Sequence, residues 1–345
     1  MLRQALLALS ASKQAHDLIM ATPLTRAVVA RFVAGETIDD ALAATRRLAA
    51  DGRLVTIDYL GEHTTDREQA EAVTEEYIRL LGQLSAAGLS SRGRAEVSVK
   101  PTAVGLGLAG HGPKTALQNI GRIAVAARNA GTTVTVDMED HETVDATLRL
   151  VTELRADFPD LGCVIQSYLR RSAEDCRALA FAGSRVRLCK GAYRAPDGVG
   201  LRGQAEVDLS FVRCLRILLD GPGYPMLATH DPRLIRIAGT LAGMVGRDDA
   251  SFEYQMLYGI RAAEQSRLAA AGSQLRVYVP YGNDWYGYLV RRLAERPANL
   301  AFFLRALAER GPTAAGSAPR IEGGPVERAD PNPDGGRRSS RLPRL

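Results

Sequence analysis

A (β/α)8 barrel is the fold this sequence predicts, and three observations predict it. Short runs rich in β-branched residues recur eight times between residues 53 and 282. A helix-compatible segment follows each run, and Gly or Pro usually punctuates the joins. Eight strand–helix units of such even size are the arithmetic of a closed parallel barrel, whereas a doubly wound sheet rarely needs so many.

Residues 1–50 read as an Ala/Leu-rich helical segment with a break near Thr22-Pro23. The strand-like runs then follow at 53–62, 95–100, 132–140, 161–168, 185–193, 224–231, 250–255 and 274–282. Their helical partners fall near 66–87, 114–130, 142–157, 172–182, 204–219, 231–245, 259–271 and 284–294. With one more helix over 297–310, the barrel domain is expected to occupy 51–310. The remainder, 311–345, is rich in Gly, Pro, Ser and Arg and nearly lacks large apolar residues, so it reads as a disordered tail.

The 345 residues, 46% hydrophobic, suffice for a large core. The net charge of +5 does not point to nucleic acid: six Arg against four acids lie in the tail. One Trp and seven Phe, with no basic run interleaved with aromatics, leave little to stack on bases. Four cysteines without a C-x-x-C pair, two of them inside apolar strand runs, suit a reduced, cytoplasmic compartment. The five histidines form no H-x-x-x-H or H-E-x-x-H set, so no metal site is expected. No apolar stretch of about 18 residues is present, so no membrane span is expected.

In this fold chemistry collects at the C-terminal ends of the strands. Those ends carry Glu62, Lys100, Asp137 with Glu139, Gln166, Arg187 with Lys190, Thr229-His230-Asp231, Glu253 with Gln255, and Tyr278. Any one alone is more simply structural. Their convergence on one rim is what an active site requires.

After the eighth run comes "YGYLVRRLAERPAN" (286–299). At about 100° per residue, Tyr288, Arg291, Arg292 and Glu295 share one helical stripe. Taken alone the stripe is a solvated face with ordinary Arg–Glu pairs. Beside the barrel mouth it becomes a planar guanidinium fork suited to a carboxylate or phosphate. "VGLGLAG" offers Gly105, Gly107 and Gly110 in the G-x-G-x-x-G spacing of a dinucleotide fingerprint, but helix character begins only near Lys114. A flexible loop over the mouth accounts for these glycines better.

The segments "DYLGE" (58–62), "SVKPTAVG" (98–105), "VDMED" (136–140), "QSYLRR" (166–171), "VRLCKGAYR" (186–194), "ATHD" (228–231), "FEYQMLYGIR" (252–261) and "YVPYGNDWYGYLVRRLAERPAN" (278–299) together resemble the proline dehydrogenase family. The resemblance runs in order from about 53 to 305. It implies an FAD-dependent (β/α)8 barrel that oxidises L-proline to Δ1-pyrroline-5-carboxylate and passes electrons to a membrane quinone. A separate pyrroline-5-carboxylate dehydrogenase would take the product of such a monofunctional chain.

By the same resemblance, Arg291 and Arg292 clamp the proline carboxylate, with Lys100 as a third cation and Glu295 bracing the fork. Tyr278, Tyr288 and Leu257 wall the ring, and Asp137 orients that wall. Arg187 lies near flavin N5, Gln166 on the pyrimidine edge and Met138 against the ring system. Lys190, Gly191, Ala192, Thr229 and His230 hold the rest of FAD. Glu62 matches a gate that pairs with the first arginine of the fork. Gly287 departs from the pattern, standing where a Pro is common. A flavin barrel acting on hydroxyproline, and a non-enzymatic protein binding anionic surfaces through the Arg-rich tail, are the alternatives. That tail could also dock an otherwise cytoplasmic enzyme at the inner face of the plasma membrane.

Overall fold

The computed structural model describes residues 29–193, 195–286 and 288. Within them lie eight parallel strands: β1 (Leu54–Tyr59), β2 (Ala95–Val99), β3 (Val134–Val136), β4 (Gly162–Gln166), β5 (Arg185–Cys189), β6 (Tyr224–Ala228), β7 (Glu253–Leu257) and β8 (Leu275–Tyr281). They close in sequence order, and six residue pairs from Leu54↔Arg276 to Tyr59↔Tyr281 seal β1 against β8. Helix α1 (Ile38–Ala50) precedes the barrel. The strands are then joined by α2 (Arg67–Ala86), α3 (Gly112–Asn129), α4 (Val144–Leu154), α5 (Ser172–Leu179), α6 (Gln204–Asp220), α7 (Pro232–Met244) and α8 (Ala262–Ala270). The (β/α)8 barrel read from the strand–helix rhythm is the fold observed.

Local signals explain where the helices start. Thr37 and Asp40 form a reciprocal capping box at α1. Asp66 accepts from the Gln69 N–H at α2, and Asp231 accepts from the Arg233 N–H at α7, where Pro232 leads the first turn. Residues 1–28 of the expected N-terminal helical segment, the eighth helical segment from 289 onward with Arg291, Arg292 and Glu295, Gly287, and the tail lie outside the described residues.

Strand side chains alternate strictly. Val55, Ile57, Val97, Val99, Leu188 and Val277 face outward and join Leu80, Leu84, Ile120, Phe211 and Leu215 of the helices in one buried core. The opposite parity points inward and is polar on most strands, with Val164, Met226, Ala228 and Leu257 among its apolar members. Glu96, Arg185, Glu253 and Arg276 meet at the N-terminal end, which forms the floor. One pleat higher, about 6–7 Å along the strands, stand Asp58, Ser98, Arg187, Gln255 and Tyr278, with Asp137 just past the end of β3. Barrel interiors of this class are usually filled by branched apolar residues. Here charge is neutralised in place.

Two expectations change. The seventh strand begins at Glu253, two residues after the turn Asp249–Ser251 that Asp248 caps. Glu253 therefore belongs to the floor and not to the mouth. The glycine-rich stretch after β2 is not a flexible loop. Leu106 N–H bonds to the Pro101 carbonyl at 2.9 Å, Asn119 Nδ2 holds the Val104 carbonyl at 3.1 Å, and Val104 and Leu106 are buried.

Candidate active site

Asp137 is the centre of the mouth. Its Oδ1 accepts from Arg187 Nη1 at 2.7 Å and from Ser98 Oγ at 2.8 Å, and its Oδ2 accepts from the Tyr278 hydroxyl at 2.8 Å. Three strands, β2, β5 and β8, thus converge on one carboxylate. The Arg187 guanidinium also lies over the Tyr278 ring, 5.3 Å from its centroid. Burial, followed by the charges of Asp137 and Asp58, pushes the Tyr278 hydroxyl well above the usual phenol range. It therefore stays a hydrogen-bond donor.

Beside this triangle Lys100 Nζ is 2.5 Å from Asp58 Oδ2. Burial works against the ammonium, but Asp58, Asp137 and Glu62 outweigh it and hold the Lys100 pKa above its usual value. Tyr77 from α2 braces this side, accepting from the Tyr59 N–H at 3.1 Å and donating to the Ser98 carbonyl at 2.8 Å. The mouth is less cation-rich than the strand ends imply, because Lys100 is matched by Asp58 and Arg187 by Asp137.

The ends of the adjacent strands β4, β5 and β6 form a second edge. Gln166 Nε2 donates to the Glu139 carbonyl at 2.7 Å, and the Glu139 carboxylate accepts from the N–H (2.9 Å) and hydroxyl (2.6 Å) of Thr102. Burial raises the Glu139 pKa. Met138 packs with Val144, Val164, Tyr168 and Leu169. Gly191 has φ +97° and backs onto Tyr168, and Ala192 follows it, exposed. Lys190 is half-buried between Asp208 (2.6 Å) and Asp231 (3.3 Å). Thr229 is buried, its Oγ1 accepting from the Asp231 N–H, and His230 Nε2 accepts from the Leu257 N–H at 2.9 Å. Amide, guanidinium, ammonium and hydroxyl groups on three neighbouring strands are the donor chemistry that an acceptor-rich ligand requires.

Of the wall residues, Leu257 ends β7 and pairs with Tyr278, which lies midway along β8 and not at its end; both are partly exposed, and Tyr288 is buried. Glu62 lies just beyond β1 and is half-buried, and Lys100 feels its charge. Asp58 and Ser98 are the residues that strand-end reading passed over. Their signal is parity: Asp58 alternates inward with Thr56, and Ser98 with Glu96 and Lys100. Among the described residues no cluster of three or more His, Cys, Asp or Glu could hold a metal ion.

A closed barrel whose mouth gathers buried ion pairs, a held tyrosine and a donor-lined edge is built as a barrel enzyme. The family profile described as proline dehydrogenase matches residues 41–305. Proline dehydrogenase 1 of Bacillus subtilis (strain 168) is 38% identical over 307 residues, covering 89% of this chain and 99% of that one. The proline dehydrogenase of Deinococcus radiodurans is 39% identical over 281 residues, covering 80% and 89%. Among solved structures, proline utilization A from Bdellovibrio bacteriovorus, inactivated by N-propargylglycine, superposes with a TM-score of 0.73 at 25% identity. It is covered over 34% of its length, so the present chain spans about a third of that protein, against 84% of its own length. The chain belongs to the proline dehydrogenase family and is an oxidoreductase. Among the described residues no helix is long and apolar enough to cross a membrane.

Proposed function

We propose that the protein oxidises L-proline to Δ1-pyrroline-5-carboxylate, using FAD and delivering the electrons to a membrane quinone. The observation that carries this reading is the Asp137–Arg187–Tyr278 triangle at the mouth of a family barrel, flanked by Lys100 and by the donor edge of β4–β6. FAD, when bound, supplies the two-electron acceptor; the chain supplies placement and electrostatics.

In this reading Gln166, Arg187, Lys190, Gly191, Ala192, Thr229 and His230 hold the cofactor, with Met138 under its ring system. Arg291 and Arg292 grip the substrate carboxylate, with Glu295 as their brace and Glu62 as their gate. Tyr278, Tyr288 and Leu257 bound the space for a five-membered ring, and Asp137 keeps Tyr278 in place. Because Asp58 already matches Lys100, the positive field that favours a neutral substrate amine comes chiefly from the two clamp arginines. A separate dehydrogenase would consume the product.

The test is anaerobic addition of L-proline to the purified protein. Bleaching of a visible flavin band is expected; a protein that holds no flavin after incubation with FAD would overturn the reading. Arg291→Met and Arg292→Met are each expected to raise the proline KM about 10- to 100-fold, as for a charged hydrogen bond of about 1.5–3 kcal/mol. Flavin content should be unchanged, and its parallel loss would move these arginines from substrate to cofactor.

A further inference from the structure

Gln255 stands between two groups of opposite hydrogen-bonding character. Arg187 Nε, which only donates, reaches its Oε1 at 2.6 Å. On the other side its Nε2 donates at 2.6 Å to Glu253 Oε1, which as a carboxylate oxygen only accepts. Glu253 is itself gripped by Arg276 through Nε at 2.7 Å and Nη2 at 3.1 Å. All four side chains are buried. A carboxylate at 255 would meet another carboxylate, and an apolar side chain would strand a donor and an acceptor in the dry interior. A primary amide of this length satisfies both ends at once whatever the pH, which an acid does only while protonated.

We infer that Gln255 is a positioning residue for the oxidation, fixing the orientation of Arg187, and through it of Asp137 and Tyr278, by carrying the hydrogen-bond polarity of the Glu253–Arg276 floor up to the mouth. This rests on the proposed reading of Arg187 as a cofactor-side group. The charged groups facing position 255 are Arg187 from β5, Arg276 from β8 and Glu253 from its own strand. Glu96 of β2 and Asp137, just past β3, lie beyond the arginines, while β6 places the Tyr224 hydroxyl 3.1 Å from Glu253 Oε2 and otherwise carries Met226 and Ala228 on this face.

Gln255→Glu is nearly isosteric and separates polarity from packing. A protonated acid at 255 still donates to Glu253 and accepts from Arg187, whereas its carboxylate does only the latter and repels Glu253. In the holoenzyme kcat is therefore expected near wild type at low pH. It should fall roughly 10- to 100-fold as pH rises, the scale of a misplaced catalytic group, while the proline KM changes little. The bound flavin's reduction potential should turn more negative over the same titration. Adding Glu253→Gln lets a carboxylate at 255 accept from both neighbours and should abolish the new limb. A Gln255→Glu profile that superposes on wild type, or a limb that persists in the double variant, overturns the inference. Should Gln255→Glu fail to fold, Gln255→Met keeps the bulk and removes both hydrogen bonds, and wild-type kcat and potential there overturn it equally. Wild-type protein without proline-reducible flavin would instead bring down the functional reading itself, so the two failures are distinct.

Discussion

Asp58 shows how one side chain sets the charge of its surroundings. Its carboxylate and the Lys100 ammonium are both buried, so neither is solvated well enough to stand alone. Asp58→Asn removes the carboxylate in contact with the ammonium, leaving only the more distant Asp137 and Glu62, and is expected to cost about 3–5 kcal/mol, as for breaking a buried pair. Urea unfolding at neutral pH measures it, and a loss below 1 kcal/mol would mean that water screens the pair. Lys100 and Asp137 were legible in the sequence because each follows a strand closely, and Tyr278, which lies midway along β8, because it opens a family segment. Asp58 and Ser98 were harder to see: a polar residue inside a strand announces itself only by parity, and parity has meaning only once the strand is known to line a barrel.

At the level of elements, the β5–α6 connection depends on a residue without a side chain. Gly191 adopts φ +97°, and a Cβ there would lie 2.2 Å from the Tyr168 ring. Gly191→Ala is expected to lose about 1–2 kcal/mol from the left-handed backbone alone. Displacement of Tyr168 should add to this and lower flavin occupancy, read as the ratio of visible to protein absorbance in the purified variant. Wild-type occupancy would remove this turn from the cofactor edge. Element boundaries were readable to within a few residues wherever a cap or a glycine marked the join. The displaced start of β7 follows a short turn whose cap, Asp248, looks in sequence like any loop aspartate. The tightly wound segment after β2 was misread for a related reason: its order comes from Asn119, fifteen residues away on α3.

For the molecule as a whole, the floor is a hub linking distant strands. Glu96 takes a hydrogen bond from Arg185 at 2.6 Å and one each from the hydroxyls of Thr56 and Thr135, and it lies 3.8 Å from Arg276. Burial opposes its charge, but Arg185, Arg276 and Arg187 prevail and bring its pKa down to about 2. A carboxyl whose folded pKa is depressed stabilises the fold fully above its ordinary value near 4.5, and this is lost as pH falls toward 2. Glu96→Gln is expected to destabilise by about 3–5 kcal/mol at neutral pH and to weaken the dependence of stability on pH below 4.5. Urea midpoints at pH 7 and pH 3 test this; an unchanged difference between them would assign the acid sensitivity to other carboxylates. The quartet was not foreseen as a unit: Glu253 was read as a residue of the mouth and the other three were not singled out, since pairs such as Glu96–Arg185 exist only across a closed barrel and no local spacing encodes them.

The β1–β8 seam carries a consequence for how the protein is made. Arg276 reaches the Val55 carbonyl across 221 residues of chain, and the same strand delivers the tyrosine that Asp137 receives. A growing polypeptide that has emerged only through β7 holds Glu253 without its arginine and Asp137 without its phenol. Such a chain keeps Arg187 and Ser98 on Asp137, and Gln255 and Tyr224 on Glu253, but lacks the β8 donor that completes each set, and the closing contact spans nearly the whole domain. Sealing of the cylinder and completion of the Asp137–Arg187–Tyr278 triangle are therefore one event, late in synthesis, and no half-made chain carries a finished mouth.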